Sequence, residues 1–292
     1  CPIGKYSCDK PLSDSMASSG IGPAIIEFSP DLTTKKKKGV HRPIYAEIFS
    51  KKLVQGKPAK VIHLMVNPFS GKKNGEKIAG QASAIFEENG ISVSMHLSTY
   101  SGELIHIAAG LSTDESDIVA VVGGDGSLSE VVTGLMQVGN KCRVGLIPAG
   151  TGNSMANDLR IKSTEDAVAR ICAGHYQMLD LAKVDMVAGL PGSEGGELTR
   201  YSANLVTWGL GVDSTIKAEK MRWMGPMRYD VGILMAIMAN NRRHATLTLD
   251  GHAIENDFTL FLIQNSQTGG SLLPLAPGAS LDDGMMDIGI LK

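Results

Sequence analysis

Aromatic residues and cysteines are scarce in this chain, and long apolar runs are absent. Aromatic residues make up 5% of the 292 residues, and no apolar run is long enough to cross a membrane. The cysteines form no C-x-x-C pair, which excludes the common zinc and redox spacings and favours a reducing compartment. We expect a cytoplasmic protein, soluble or with peripheral recruitment to membranes.

The chain also has no large excess of positive or negative charge, since its formal net charge is −2. Nothing global therefore indicates a nucleic-acid partner, and none is expected. A four-lysine run, Lys35–Lys38, is usually a solvated segment and less often a contact with a membrane surface.

Several nucleotide-binding signatures are absent as well. No G-x-x-x-x-G-K-[S/T] loop occurs, and the sequence GDGSLS from residue 124 lacks the third glycine of a dinucleotide-binding fingerprint. The protein-kinase motif set is missing too. These absences count against the commonest nucleotide-binding folds.

Composition along the chain predicts three segments. Residues 1–57 carry Pro, Ser and Gly and are expected to be a flexible leader; because the chain starts with Cys1, we expect a longer parent. Residues 58–177 alternate strands and helices, which predicts a parallel sheet wrapped by helices. Residues 178–292 predict antiparallel strands with one strong helix, Met227–Ala239. The expected fold class is α/β: an N-terminal Rossmann-like parallel-sheet nucleotide domain and a C-terminal antiparallel β-rich domain.

Glycine turns follow two neighbouring strands of the predicted parallel sheet. GGDGS at 123–127 closes the apolar strand at 118–122 and opens a helix predicted over 128–136, and PAGTGN at 148–153 follows the strand at 144–147. Glycine turns between a strand and a helix collect backbone N–H groups that favour phosphate. Asp125 would repel phosphate, so its presence indicates a base or a Mg²⁺ partner beside a nucleotide. The pair of turns therefore favours phosphoryl transfer.

The motifs together resemble a known family. NPFSG at 67–71, GGDGS at 123–127 and PAGTGN at 148–153 are similar to the diacylglycerol-kinase catalytic superfamily. WGLGVD at 208–213 and EKMRWMGPMRY at 219–229 resemble its sphingosine-kinase and ceramide-kinase branch. The likeness covers roughly residues 60–292 and implies an ATP-dependent lipid kinase that uses Mg²⁺.

The resemblance implies roles for particular residues. Asp125 is the expected catalytic base or metal partner. Residues expected to contact the nucleotide are Asn67, Pro68, Ser70, Gly71, Thr99, Gly123, Gly124, Gly126, Ser127, Glu130, Gly150, Thr151 and Asn153. Read alone, several of these are ordinary: Thr99 is a lone exposed threonine, and Glu130 could be a solvated helix glutamate.

Further residues match positions in the second predicted domain. Arg222 and Arg228 match arginines that clamp phosphates in the branch, a task that suits a charged planar fork. Asp213 matches an acid that faces the lipid headgroup. Thr215 stands where sphingosine kinases carry a second acid, which weakens recognition of a sphingoid amine and leaves ceramide open.

The C-terminal stretch carries the last family-like motif. In bacterial relatives a metal lies in the loop that matches LAPGASLDDG at 275–284, which implies Asp283 as a side-chain ligand, although Asp-Asp-Gly is equally a plain turn. The chain ends at Lys292, whereas family members continue and bacterial ones carry an acidic catalytic residue there. We therefore expect a C-terminally truncated fragment that lacks this acidic residue.

The sequence predicts a lipid kinase that phosphorylates the primary hydroxyl of a sphingoid base. The alternatives are a ceramide or diacylglycerol kinase, a soluble NAD kinase, which the motif around Arg222 counts against, and a nucleotide-binding regulatory module without catalysis. The expected partners are ATP, the lipid substrate and a membrane surface. A methionine-rich stretch at 224–238 could line a slot for the acyl chain, although such stripes are more often core.

Overall fold

A computed structural model describes residues 4–7, 48–49, 51–188, 196–221, 224, 227–239, 241–270 and 273–292. These residues fall into two compact units. The first unit comprises residues 48–179 and 268–273, and the second unit comprises residues 180–267 and 274–292 with the strand at Gly4–Ser7.

The elements are numbered in chain order. The strands are β1 (Gly4–Ser7), β2 (Val54–Gln55), β3 (Val61–Val66), β4 (Ser92–Leu97), β5 (Ile118–Gly123), β6 (Arg143–Pro148), β7 (His175–Tyr176), β8 (Ala182–Ala188), β9 (Gly196–Ser202), β10 (Leu205–Gly209), β11 (Arg243–Leu249), β12 (His252–Phe258), β13 (Leu260–Gln264), β14 (Thr268–Gly269), β15 (Leu273–Pro274) and β16 (Met285–Leu291). The helices are α1 (Ser70–Lys73), α2 (Gly75–Glu88), α3 (Glu103–Ala109), α4 (Asp125–Gln137), α5 (Ser154–Asp158), α6 (Thr164–Ala173), α7 (Leu210–Lys220) and α8 (Met227–Ala239).

A four-stranded parallel sheet in the order β4-β3-β5-β6 forms the centre of the first unit. Strand β5 is buried along its whole length, as its unbroken apolar run predicts. Apolar side chains of α2 and α6 pack on one face of this sheet, against alternate residues of β3 and β5. Helices α3 and α4 pack against each other and against β3 and β5, respectively. The sheet therefore has the helix-covered, Rossmann-like form that the sequence predicts.

Antiparallel pairing dominates the second unit. A four-stranded sheet in the order β1-β16-β13-β10 is accompanied by the strand pairs β8–β9 and β11–β12. Its core includes Val184, Leu249, Ile263, Met286 and Ile288. The C-terminal antiparallel part of the predicted fold class is thereby confirmed.

Several details differ from the sequence predictions. The prediction of one strong helix after residue 178 is wrong, because α7 precedes α8. Helix α4 begins at Asp125 and not at Leu128, so the aspartate belongs to its first turn. The segment 268–273 belongs to the first unit, and the boundary between the units lies at 179/180.

Parts of the predicted leader are strands. Gly4–Ser7 pairs with β16, and Val54–Gln55 pairs with β7. The run Lys35–Lys38 lies outside the described residues. Within the part of the chain that the structure describes, no helix has both the length and the apolar character needed to cross a membrane.

Candidate functional site

The turns predicted to bind a nucleotide lie at one edge of the parallel sheet. Val66 is in register with Leu97 on one side and with Val122 on the other, and Gly123 is in register with Pro148. The chain segments that follow β3, β4, β5 and β6 therefore start at the same level. Ligands of open parallel sheets bind at this carboxyl edge.

The two glycine turns are joined directly by their backbones. The N–H groups of Ala149 and Gly150 donate to the Gly123 carbonyl oxygen at 2.8 and 3.2 Å. A Cβ atom on Gly150 would lie 2.5 Å from the Cα atom of Gly124, so a side chain there would push the turns apart. Both turns thus form one continuous backbone surface, as the sequence interpretation requires.

Asp125 connects the first glycine turn to the helix that follows the second. One carboxylate oxygen accepts a hydrogen bond from the Ser154 N–H at 2.9 Å, and the other accepts from the Met155 N–H at 3.0 Å. A carboxylate has about four acceptor positions, so roughly half remain for a proton or a metal ion. Asp125 therefore positions α5 and keeps capacity for chemistry.

The first turn of α4 presents an open surface beside this carboxylate. A Cβ atom on Gly126 would have no atom within 4 Å apart from the adjacent residues and the backbone of its own helix turn. The first N–H groups of a helix have no partner inside it, and α4 has 13 residues, so its dipole also favours an anion at this end. The backbone of Asp125, Gly126 and Ser127 can thus donate to a phosphate.

The segment after β3 packs onto both glycine turns. The Asn67 amide nitrogen donates to the Ser127 hydroxyl oxygen at 3.3 Å, while its amide oxygen accepts from the Phe69 N–H at 3.0 Å. A Cβ atom on Gly71 would lie 2.1 Å from the carbonyl oxygen of Ala149. Pro68 is half-buried and Ser70 is buried in this segment. The structure therefore brings the predicted residues 67–71 to the glycine turns.

Asn153 closes the second glycine turn on itself. Its amide oxygen accepts from the Gly150 N–H at 2.9 Å, and its amide nitrogen donates to the Gly150 carbonyl oxygen at 2.8 Å. Its backbone is left-handed, with φ of 46°, which asparagine tolerates better than most residues. Thr151 is half-buried, and its side chain makes no hydrogen bond to any described residue. Thr151 is thus the side chain of this turn that is available to a ligand.

Thr99 and Glu130 contact the start of α3. The N–H and the hydroxyl of Thr99 both donate to the Glu103 carboxylate, the hydroxyl at 2.8 Å. These hydrogen bonds, the backbone one first, lower the pKa of Glu103. Glu130 accepts from the Gly102 N–H at 3.0 Å. Both residues shape the loop after β4, and their contact with a nucleotide stays a prediction.

Asp213 is held in an ion pair within the second unit. Nη2 of Arg243 donates to both of its carboxylate oxygens, at 2.8 and 3.0 Å, and the Asp213 side chain is 16% exposed. The Arg243 guanidinium also lies 5.9 Å from the ring centre of Trp208. Arg222 lies outside the described residues, as does the side chain of Arg228, whose backbone belongs to α8. Their predicted roles stay predictions.

Asp283 lies in the turn before β16. One of its carboxylate oxygens accepts from the Met285 N–H at 3.2 Å. Across the described ranges, no group of three or more His, Cys, Asp or Glu residues is arranged to hold a metal ion. A metal at Asp283 would therefore depend on carbonyl oxygens or water, and this role also stays a prediction.

The sequence interpretation missed two residues next to the site. Asp158, the last residue of α5, accepts hydrogen bonds from the Thr268 hydroxyl at 2.7 Å and from the Thr268 N–H at 3.1 Å. A signal for Thr268 existed in the polar run QNSQT at 264–268, which begins at the last residue of the apolar strand β13. Asp158 had no such signal.

Comparisons with known proteins agree with this geometry. Residues 61–184 match the diacylglycerol kinase catalytic domain, and residues 204–292 match the YegS C-terminal NAD kinase beta sandwich-like domain. A diacylglycerol kinase of Bacillus subtilis is 30% identical over 238 residues, which cover 81% of this chain and 74% of that protein. Sphingosine kinase 1 of Arabidopsis thaliana is 30% identical over 218 residues, which cover 70% of this chain and 43% of that protein.

A crystal structure of a diacylglycerol kinase from Bacillus anthracis shares the fold. Its TM-score is 0.61 at 20% sequence identity, with 80% of this chain and 74% of that chain covered. The chain spans less than half the length of the plant sphingosine kinases that it matches. From the domain matches and the Bacillus subtilis relative, the chain belongs to the diacylglycerol-kinase catalytic superfamily of ATP-dependent lipid kinases.

Proposed function

We propose that this chain transfers the γ-phosphate of ATP to the primary hydroxyl of a lipid, with a sphingoid base as the first candidate acceptor. The observation that carries the proposal is the surface made by the two glycine turns, together with the Asp125 carboxylate, which joins the first turn to the helix after the second. Motifs typical of the sphingosine-kinase branch at 208–213 and 219–229, and the similarity to plant sphingosine kinases, support the acceptor.

In this proposal most contacts to the phosphates come from backbone N–H groups. The N–H groups at the start of α4 bind and orient the phosphates, since phosphoryl transfer depends mainly on positioning and on charge stabilisation. Asp125, already held by two N–H groups, accepts the proton of the attacking hydroxyl. Arg222 and Arg228 are proposed to stabilise charge on the transferred phosphate, and Asp213 to approach the lipid headgroup.

Mg²⁺ fits the oxygen groups of this site. Magnesium ions commonly bind one or two carboxylates together with substrate phosphates and water, and Asp125 has acceptor positions left for such contact. When bound, the ion would neutralise negative charge on the phosphates.

A neutral lipid, diacylglycerol or ceramide, is the second candidate acceptor. The Asp213–Arg243 ion pair favours it, because a carboxylate already neutralised by an arginine attracts a sphingoid ammonium group less strongly. Thr215, whose hydroxyl donates to the Gly211 carbonyl oxygen at 2.9 Å, adds no charge nearby. The diacylglycerol kinase of Bacillus subtilis is consistent with this alternative.

A membrane surface is the proposed partner that delivers the lipid. Helices α7 and α8, which pack against each other, carry exposed apolar side chains. These side chains, called the apolar patch below, are Val212, Ile216, Met227, Leu234, Met235 and Met238. An exposed patch of this kind on a helix pair is typical of an interaction surface, and a bilayer is the partner that also holds the acceptor.

The proposal is tested by an assay with radiolabelled ATP on sphingosine, ceramide, diacylglycerol and NAD, together with a nucleotide-binding titration. Labelled sphingosine supports the first acceptor, and labelled ceramide or diacylglycerol supports the second. ATP binding without transfer to any acceptor would indicate a regulatory module without catalysis. No binding of ATP would contradict the assignment of the glycine turns.

A further inference from the structure

Asp158 and Thr268 form a buried polar pair in the first unit. Asp158 is 4% exposed and Thr268 is 0% exposed. The carboxylate accepts from both the hydroxyl and the N–H of Thr268, at 2.7 and 3.1 Å. Hydrogen bonds between buried groups are costly to lose, because their loss leaves polar groups unsatisfied away from water. The pair therefore fixes Thr268 firmly against the end of α5.

Helix α5 is consequently held at both ends by carboxylates. Asp125 accepts from the N–H groups of Ser154 and Met155 at its start, and Asp158 binds Thr268 at its end. The second glycine turn, Gly150–Asn153, leads directly into this helix. Because α5 has only five residues, a shift of either end moves the whole helix and the turn before it.

We propose that Asp158 is a positioning residue, which anchors α5 to Thr268 and so fixes the second glycine turn in the geometry that binds the nucleotide. This inference rests on the proposed function, which assigns that turn to ATP. Asp158 does not itself need to touch the ligand. Its effect should appear in ATP affinity and not in the chemical step or in lipid recognition.

The first test compares Thr268→Val with Thr268→Ser. Valine keeps the size of the side chain but removes the hydroxyl, whereas serine retains it. We expect Thr268→Val to raise the Kd for a fluorescent ATP analogue and the KM for ATP about tenfold, because small displacements of binding groups are costly. The kcat and the KM for the lipid should stay within about twofold. Thr268→Ser, which keeps the hydroxyl, should retain the wild-type affinity for ATP.

The second comparison uses a matched pair in the other unit. The Thr199 hydroxyl also donates to an aspartate, Asp185, between β8 and β9. Thr199→Val should leave the Kd and the KM for ATP within about twofold of wild type. Asp158→Asn, which retains one amide oxygen as acceptor, should give an intermediate loss. If that variant fails to fold, the Thr268 pair decides.

The outcomes of these experiments distinguish a failure of the proposed role of Asp158 from a failure of the proposed ATP binding. Failure of the wild-type chain to bind the ATP analogue would overturn both. Wild-type binding together with unchanged affinity in Thr268→Val would overturn the role of Asp158 alone. An equal loss of affinity in Thr199→Val would do the same, since it would show a general response to lost stability.

Discussion

Asp125 illustrates, at the scale of single residues, what the sequence shows and what it leaves out. Its position among glycines after a buried strand indicates a charged group at the nucleotide. Its hydrogen-bond donors are backbone groups 29 and 30 residues further along the chain, which no local pattern reveals. The same limitation applies to Asn153, Glu130 and Asp213, whose residue types were identified but whose protein partners were not.

Replacing Asp125 by Asn tests both of its roles. The amide cannot accept a proton as a carboxylate does, so we expect kcat to fall at least about 100-fold. Only one amide oxygen is left to accept, so one N–H group at the start of α5 loses its partner, at a cost of about 1–3 kcal/mol. Turnover at saturating ATP and the thermal midpoint measure the two effects.

Asp166→Asn is the control for this variant. Asp166 likewise accepts a backbone hydrogen bond, from the Lys162 N–H at 2.9 Å, but it lies on α6. We expect its replacement to leave kcat within about twofold of wild type. Wild-type turnover in Asp125→Asn would show that the base has been assigned wrongly.

At the scale of elements, helix α8 and the two glycine turns were predicted, and helix α7 was not. The bounds of α8 agree with the sequence prediction, because this segment combines a long apolar run with clear ends. Helix α7 was missed, and its start coincides with the glycine-containing motif WGLGVD. In the structure, Gly209 precedes α7 with φ of 74° and Gly211 lies within it, close to the Thr207 side chain. Gly209 therefore lies at the start of the helix, and Gly211 allows close packing against Thr207. A local sequence pattern does not distinguish these uses of glycine from a turn.

Strands β3 and β4 carry a histidine pair that makes stability depend on pH. Nε2 of His96 lies 3.4 Å from Nδ1 of His63. Burial, and secondarily the nearby His63, lowers the pKa of His96. The unfolded chain then binds a proton more readily than the folded one, so this contribution to stability is present above the ordinary histidine pKa and is lost as the pH falls below it.

We therefore expect His96→Gln to reduce the loss of stability on acidification. The loss of stability is measured as the difference between the urea unfolding midpoints at about pH 7.5 and about pH 5.5, since histidine titrates in this range. His244 is the control, because Glu255 and Asp257 raise its pKa. His244→Gln should make the loss on acidification larger. If the His96→Gln variant lost as much stability on acidification as the wild type, His96 would not be a source of the pH dependence.

At the scale of the whole molecule, the α/β class and the change to antiparallel sheet could be predicted from strand and helix alternation. The return of residues 268–273 to the first unit could not, since the long-range pairing of Thr268 with Asp158 decides it. The polar run at 264–268 resembles a surface loop in sequence but is buried in the structure. Burial of such a run depends on hydrogen-bond partners far away in the chain.

The apolar patch of α7 and α8 predicts binding to lipid vesicles. Leu234 and Met238 are 57% and 78% exposed. We expect the double substitution Leu234→Ser and Met238→Ser to weaken vesicle binding about tenfold or more, because burial of one such side chain contributes about 1.5–3 kcal/mol. Vesicle binding is measured by sedimentation of the protein with the vesicles. Turnover of a short-chain soluble acceptor should be the same in the double variant and the wild-type chain.

Val138→Ser is the matched control for the vesicle experiment. Val138 is also exposed, but it follows α4 in the first unit. Its replacement should leave vesicle binding unchanged. Equal binding by the double variant and the wild-type chain would show that the apolar patch does not contact the bilayer.

The central claim, that the phosphates of ATP lie on the start of α4, is tested most directly by Gly126→Ala. Apart from the adjacent residues and the backbone of its own helix turn, an added methyl group at Gly126 has no protein atom within 4 Å, and the same is true at Gly80 in α2. Either alanine should preserve or raise stability, by about 0.5–1 kcal/mol. The two variants therefore add the same methyl group to a helix, in the first turn of α4 and within α2.

Equilibrium titration with ATP gives the decisive comparison. Our account predicts that Gly126→Ala binds ATP at least about tenfold more weakly than Gly80→Ala, because its methyl group enters the space of the bound phosphates. Gly80→Ala should bind like wild type. Equal affinities in the two variants would show that the nucleotide does not lie on this turn.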